Sequence, residues 1–369
     1  MTELEINLLE EIEKLQRTAE EAKVYESIKK ILIAYENEVI KPLVNLVISQ
    51  QSSIFIKENI FNLLKEISSG VLMKHILPLI KNNNSFIRNK VIEIVEFMEK
   101  EPVEKLMRLL DDPDKNVRKH ALDILYSTLS AEAISGLRKG LRDENINNVI
   151  TAVEYIGLRK DKGSVKDIIN IFEETTNVML KCACLEALGN IGDTAIFNFI
   201  SRHFEDLKSQ NKFVVFSYIK LLGKIGEKSN LNDLIFLFEH YGEIALKELL
   251  TATITLCQRH NLIEVPEQII IILEKLTDKN INQMYKYEII NFLSKYSPVK
   301  AKEIALKYLM TNDEMLIMSA LEILSVNGEM NDIKLLEELK MRNNLSENIK
   351  EEIDFTIEEI KKINEKFRW

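Results

Sequence analysis

Apolar residues in this chain recur at i, i+3, i+4 and i+7 in segment after segment, the pattern of helices with one buried face. Val103-Leu106-Met107-Leu110, Val165-Ile168-Ile169-Phe172 and Leu231-Leu234-Ile235-Phe238 are three such stripes. Each is followed, after a polar turn, by a second and more apolar segment. The clearest turn is Asp112-Pro113-Asp114-Lys115-Asn116-Val117-Arg118, which opens His120-Ala121-Leu122-Asp123-Ile124-Leu125. The pair recurs about every 31 residues, and a two-helix unit that short cannot bury its own apolar face, so neighbours must stack. The pattern predicts an all-α chain, a right-handed α-solenoid (α-α superhelix) of about ten antiparallel helix pairs.

Ala121 occupies a position expected to be buried, and its equivalents in other repeats fall at Val91, Ala152, Cys184 and Tyr218, then Leu249, Ile289 and Ala320. The steps are 30 to 34 residues, with one of 40 between Leu249 and Ile289. A less regular pair precedes them, around Val39 to Ile48 and Ile54 to Ile67. Residues 1–36 predict an N-terminal helical cap, with an apolar stripe at Leu4, Leu8, Leu9, Ile12 and Leu15. Residues 37–343 predict the repeat array. Residues 344–369 predict a charged amphipathic helix, Ile349 to Phe367, that covers the last layer. Gly157, Gly189 and Gly223 share one register, five residues after the Ala121 equivalents, and mark helix ends or close approach between layers.

The repeats resemble the HEAT family in its short form of about 30 residues. The resemblance rests on Asp112 to Leu125, on Cys184-Leu185-Glu186-Ala187-Leu188-Gly189-Asn190-Ile191-Gly192-Asp193 and on Ile219-Lys220-Leu221-Leu222-Gly223-Lys224-Ile225-Gly226-Glu227, and it covers nearly the whole chain. It implies inner helices lining a concave surface that grips another macromolecule. It also implies that Asp112 or Asp114 caps an inner helix and that Arg118 bridges to a nearby carboxylate in a structural ladder.

Composition narrows the function. Hydrophobic residues make up 46% and charged residues 29%, as in a folded chain. A net charge of −9 argues against an undirected grip on nucleic acid, which needs concentrated Lys and Arg. The beginning Met1-Thr2-Glu3-Leu4-Glu5 shows no basic and apolar leader and no apolar run reaches membrane length, so a cytoplasmic protein with no membrane insertion is expected. Three cysteines, Cys182, Cys184 and Cys257, give neither a disulfide framework nor zinc spacing and read as buried or half-buried thiols.

Enzymes on HEAT-like arrays supply reactions to test. Deoxyhypusine hydroxylase carries iron on His-Glu pairs, but none of His75, His120, His203, His240 and His260 is followed by Glu. Alkylpurine DNA glycosylases set tryptophan and an acid against a lesion, and the single tryptophan here is Trp369. Cys182 and Cys184 have no histidine one turn away to activate them. His120 lies three residues before Asp123, a spacing that permits a hydrogen bond on a helix surface. Gly189-Asn190-Ile191-Gly192 ends a helix and does not link a strand to one, so it is no phosphate loop. The expectation is no catalytic residue, no metal and no cofactor. A bilin lyase is the enzyme-class alternative, and a nucleic-acid binder the third reading.

Two outward columns remain. Two residues after the Ala121 equivalents stand Glu93, Asp123, Glu154 and Glu186, followed by Lys220, Thr251, Asn291 and Glu322. Two residues before them stand Asn89, Lys119, Ile150 and Cys182, followed by Phe216, Lys247, Tyr287 and Met318. An outward column this apolar is unexpected on a solvated face, unless curvature buries it against the next repeat. The reading is a protein-binding scaffold or adaptor whose groove is acidic at Glu93, Asp123, Glu154 and Glu186 and apolar at Ile150, Phe216, Tyr287 and Met318. Such a groove suits a basic amphipathic helix or peptide.

Overall fold

The structure, a computed structural model, describes Glu10 and residues 37–49, 54–65, 70–97, 103–128, 130–207, 210–342 and 345–366. The expected N-terminal cap, with its Leu4 to Leu15 stripe, lies outside the described residues apart from Glu10. Among the described residues, twenty α-helices follow one another as ten outer and inner pairs, and there is no strand. The chain divides into two compact units, Met1–Thr175 and Thr176–Trp369.

In the first unit the outer helices are α1 (Asn37–Ile48), α3 (Gly70–Ile76, continued by a 3-10 turn at Leu77–Lys81), α5 (Val103–Leu109), α7 (Ala133–Gly140) and α9 (Val165–Glu174). Its inner helices are α2 (Ile54–Lys65), α4 (Ser85–Phe97), α6 (Lys115–Ser127) and α8 (Ile146–Leu158). In the second unit the inner helices are α10 (Val178–Ile191), α12 (Lys212–Ile225), α14 (Leu246–Arg259), α16 (Gln283–Tyr296), α18 (Glu314–Asn327) and α20 (Glu347–Lys366). They alternate with outer helices α11 (Thr194–Ser201), α13 (Leu231–Tyr241), α15 (Glu267–Thr277), α17 (Pro298–Tyr308) and α19 (Asp332–Lys340).

Inner helices start where an Asp or Asn side chain takes up a free amide. Asn84, Asp114, Asn145 and Asn177 accept from Phe86, Asn116, Asn147 and Leu180. Asn211, Asn282 and Asp313 do the same for Phe213, Met284 and Leu316. Of the inner helices from α4 to α18, only α14 lacks this device, because Ala245 stands at its cap. α10 ends at Gly192, whose φ of 81° closes the helix in the left-handed region.

Ala121 and the seven residues aligned with it, from Val91 to Ala320, are all buried, and all but Leu249 are the seventh residue of their inner helix; in α14 that place belongs to Ala252, also buried. Where the position holds Tyr218 instead of Ala, outer aromatics make room for it. Phe204 stacks on its ring at 4.0 Å and Phe197 lies at 5.9 Å. Gly223 marks a true close approach. A Cβ there would lie 2.6 Å from the Ala252 Cα, so α12 and α14 meet with no room for a side chain between them. At Gly189 the nearest atoms are the flexible Lys224 side chain at 3.2 Å and Leu221 at 3.4 Å. α20 buries Ile349, Ile353, Ile357 and Ile360 and packs against α18.

Polar side chains tie repeats to their neighbours. Arg118 is a ladder member, as expected: its Nε and Nη2 donate to Asp143 at 2.8 and 3.0 Å, and its Nη1 donates to the Asp112 carbonyl at 2.7 Å. Asn148, buried, donates to Asp143 and to the Lys115 carbonyl. Burial alone would raise the Asp143 carboxyl, but the donors Arg118, the Asn145 amide and Asn148 outweigh it and hold the group below its ordinary range. In the second unit, Arg342 reaches the Leu309 carbonyl and Asn327 the Ser294 hydroxyl, each 33 residues back.

Candidate partner-binding surface

The sequence-predicted carboxylates stand on inner helices, and they are not bare. In the first unit Glu93 accepts from Lys65 at 2.8 Å and from Lys90 at 3.0 Å, and these two lysines hold its pKa below the usual value. Asp123 is half-buried. It accepts from Lys119 at 2.9 Å and from the Tyr155 hydroxyl at 2.7 Å. Burial raises the Asp123 carboxyl, and His120, Tyr155 and Lys119 together more than offset this and lower it. The His120 ring nitrogen stands 3.7 Å from the carboxylate, beyond a good hydrogen bond. Tyr155 stacks on Tyr126 at 4.2 Å, a contact that no pattern in the sequence announces. Glu154 is exposed, and Ile150, one turn earlier on α8, is half-buried.

In the second unit Glu186 is exposed and pairs with Lys220 on the next inner helix at 3.1 Å. Glu93, Asp123 and Glu186 are therefore members of ion pairs, a fact hidden when one column is followed at a time. Each lysine sits on another turn or another helix.

The apolar column is partly open to solvent. Phe216 and Tyr287 are half-buried, and Met318 is 36% exposed. Three residues earlier in each repeat lies a second apolar column that sequence reasoning did not single out. Met179, Phe213, Met284 and Met315 occupy it as the second residues of α10, α12, α16 and α18, each between 39% and 66% exposed, while Lys247 holds that place on α14. Residues three apart share a helix face, so the columns pair as Phe213 with Phe216, Met284 with Tyr287 and Met315 with Met318. The first pair is in edge contact, with ring centroids 6.2 Å apart. In the first unit the earlier column holds Phe86, half-buried beside Phe61, and then Asn116 and Asn147, so the exposed apolar stripe is concentrated in the second.

Two clefts open on this face. Between α12 and α14 a hollow of about 250 Å³ is lined by Lys220, Gly223, Lys224, Lys247, Glu248 and Thr251. Burial lowers the Lys224 pKa, and its Nζ donates to the Asn190 side-chain oxygen at 2.6 Å. Between α14 and α16 a hollow of about 240 Å³ is lined by Ile254, Tyr287, Phe292, Tyr296, Glu288 and Lys295. A larger hollow of about 940 Å³ in the first unit is walled by Arg118, Arg138, Lys139, Asp111 and Asp143. Those groups are already committed to ion pairs: Arg118 with Asp143, Lys139 with Asp111 and Arg138 with Asp161.

Cys184 and Cys257 are buried, and burial pushes their thiols up to about 12 and about 11. Among the described residues no group of three His, Cys, Asp or Glu side chains could hold a metal ion. Among them, too, no helix is long and apolar enough to cross a membrane.

Stacked two-helix repeats with polar caps at their inner helices and an Arg–Asp ladder between layers define a HEAT-repeat protein fold, an all-α solenoid. Importin beta, solved in an ammonium sulfate condition, matches 90% of this chain over 54% of its own length, with a TM-score of 0.60 and 11% identity. Kap95p, solved with RanGDP, matches 98% of this chain over 50% of its own, with a TM-score of 0.52 and 11% identity. Kap121p bound to Nup53p matches 97% over 45%, with a TM-score of 0.50 and 8% identity. The chain thus spans about half the length of these proteins, and at such identities the likeness is one of fold. No protein-family signature matches the sequence, and no curated protein does.

Proposed function

We propose that this protein is a non-catalytic scaffold or adaptor that binds a protein or peptide on its inner helices. The observation that carries the proposal is the apolar surface of the second unit, Met179 through Met318, left uncovered on α10, α12, α16 and α18 and interrupted at α14 by Lys247. Soluble chains seldom leave contiguous apolar surface open unless something docks on it, and Met-rich surfaces adapt well to a partner's side chains. Phe216, Tyr287 and Met318 serve as anchors, and Ile150 serves the same purpose on the first unit. Solved proteins of similar fold support the reading, since one is described with RanGDP and one with Nup53p.

Glu93, Asp123, Glu154 and Glu186 take a secondary part in the proposal. Three of them hold lysines in place on the inner face, which weakens the case for a basic partner built on them alone. Affinity capture from the source cells with mass spectrometry tests the proposal, comparing the native chain with a variant carrying Phe216→Ser, Tyr287→Ser and Met318→Ser. A protein bound in stoichiometric amount to the first and lost from the second is expected. A co-purifying pigment or nucleic acid, or a partner retained by the variant, would contradict it.

A further inference from the structure

Four consecutive inner helices of the second unit carry a charge opposite to that of the whole chain. Its inner helices α10, α12, α14 and α16 bear eight cationic side chains against three carboxylates, in a protein whose net charge is −9. One of the three, Glu186, is spent on Lys220. Lys212 and Lys247 are exposed and have no carboxylate partner among the described residues. Lys212 lies 5.3 Å from the Phe213 ring and Lys295 lies 5.0 Å from the Tyr296 ring, so cations and apolar anchors alternate on one surface. The pattern stops at α18, where Glu314 and Glu322 are exposed.

We propose that the partner docked on the second unit is an acidic amphipathic segment. Its carboxylates enter the cleft between α12 and α14, where Lys220, Lys224 and Lys247 outnumber Glu248, and an apolar side chain enters the neighbouring cleft at Ile254, Tyr287 and Phe292. This inference rests on the scaffold reading above and names the chemistry of its partner. The hydrogen-bond partner of Lys224 supports it physically. The Lys224 ammonium donates to a neutral amide oxygen and feels Glu186 only at longer range, so an incoming carboxylate can still pair with it directly.

Spacing sets the partner's sequence. Adjacent inner helices of a stack lie about 10 Å apart, which a partner helix crosses in about seven residues and an extended strand in about three. An acidic side chain and an apolar one separated by two helical turns would meet both clefts, whereas residues three apart on an extended strand face opposite ways, so a helical partner fits better.

The test is selection of a random peptide display library on the full chain, with binding of the enriched peptides measured by fluorescence anisotropy. Three proteins are compared: the native chain, Lys212→Glu with Lys247→Glu, and Tyr287→Ser with Met318→Ser. Neither lysine makes an ion pair among the described residues, so the reversal leaves the structure intact, which circular dichroism checks. Enriched peptides rich in Asp or Glu and apolar residues are expected. Their affinity should fall about tenfold or more on lysine reversal and weaken as salt rises.

Basic or neutral peptides that are lost on Tyr287→Ser with Met318→Ser would overturn the acidic partner and leave the scaffold reading standing. Peptides indifferent to both variants would overturn both. A chain that enriches no peptide but binds oligodeoxythymidine of about 20 nucleotides, long enough to fill a single-strand site, through the same lysines would also overturn both, in favour of nucleic acid.

Discussion

Replacing Arg118 with Ala should cost the first unit about 3 kcal/mol. Its side chain is 6% exposed and that of Asp143 is 4%, so both charges are withdrawn from water and depend on each other. The substitution deletes two charge-assisted bonds to Asp143 and one to the Asp112 carbonyl. Glu144 is 80% exposed and adds little. Asp143 keeps the Asn145 amide and Asn148 as donors, which places the loss at the lower end of the range of about 3–5 kcal/mol for orphaning one member of a buried pair. Urea unfolding followed by circular dichroism measures it. The double replacement Arg118→Met with Asp143→Leu should recover most of the loss, because no charge is then left alone. The pH dependence follows from the same pair. The folded Asp143 carboxyl sits below its unfolded value, so its contribution is complete above about pH 4 and fades as pH falls through the folded pKa. The gap between the native chain and Arg118→Ala should therefore narrow from pH 7 toward pH 3. A loss under about 1 kcal/mol, or a gap that does not change with pH, would refute the reasoning.

Two glycines at one repeat position should respond in opposite directions. Gly223→Ala forces α12 away from Ala252 and should destabilise by about 1–2 kcal/mol, the overpacking cost less the gain in helix propensity. Gly189→Ala meets chiefly a movable lysine and should be neutral or stabilising by up to about 1 kcal/mol; thermal unfolding reads both. Cys184 and Cys257, with thiols pushed up to about 12 and about 11, should resist iodoacetamide at pH 8 in the native chain and react fully in denaturant, as intact-mass spectrometry would reveal. Rapid native labelling of either would contradict their burial.

The fold was legible because a buried position must repeat. Ala121 and six of its equivalents could be aligned by eye, but Leu249 stands one turn early: it is the fourth residue of α14, where the Asx cap that opens the other inner helices from α4 to α18 is replaced by Ala245, and Ala252 holds the seventh position. Helix ends were legible where an Asx cap stood, as at Asp114. The charge of the surface was not. Lys220 is 34 residues from Glu186 and Lys65 is 28 from Glu93, so the cancelling charges sit one repeat away from the carboxylates they answer. The Met179 to Met315 column was missed for a different reason. It lies at or beside the first turn of each inner helix, where apolar residues look like the start of the core stripe. Only the neighbouring helices decide that they are left uncovered.

The central claim is that partners dock on the inner face of the second unit. Hydroxyl-radical footprinting of the full chain, free and saturated with a captured protein or selected peptide, tests it most directly, since methionine and phenylalanine side chains report oxidation residue by residue. Met284, Met315, Met318 and Phe213 should be protected, while Met310 and Met341, exposed at the ends of outer helices α17 and α19, should oxidise equally in both states. Protection of Met310 and Met341 with Met284 and Met318 unchanged would contradict the account.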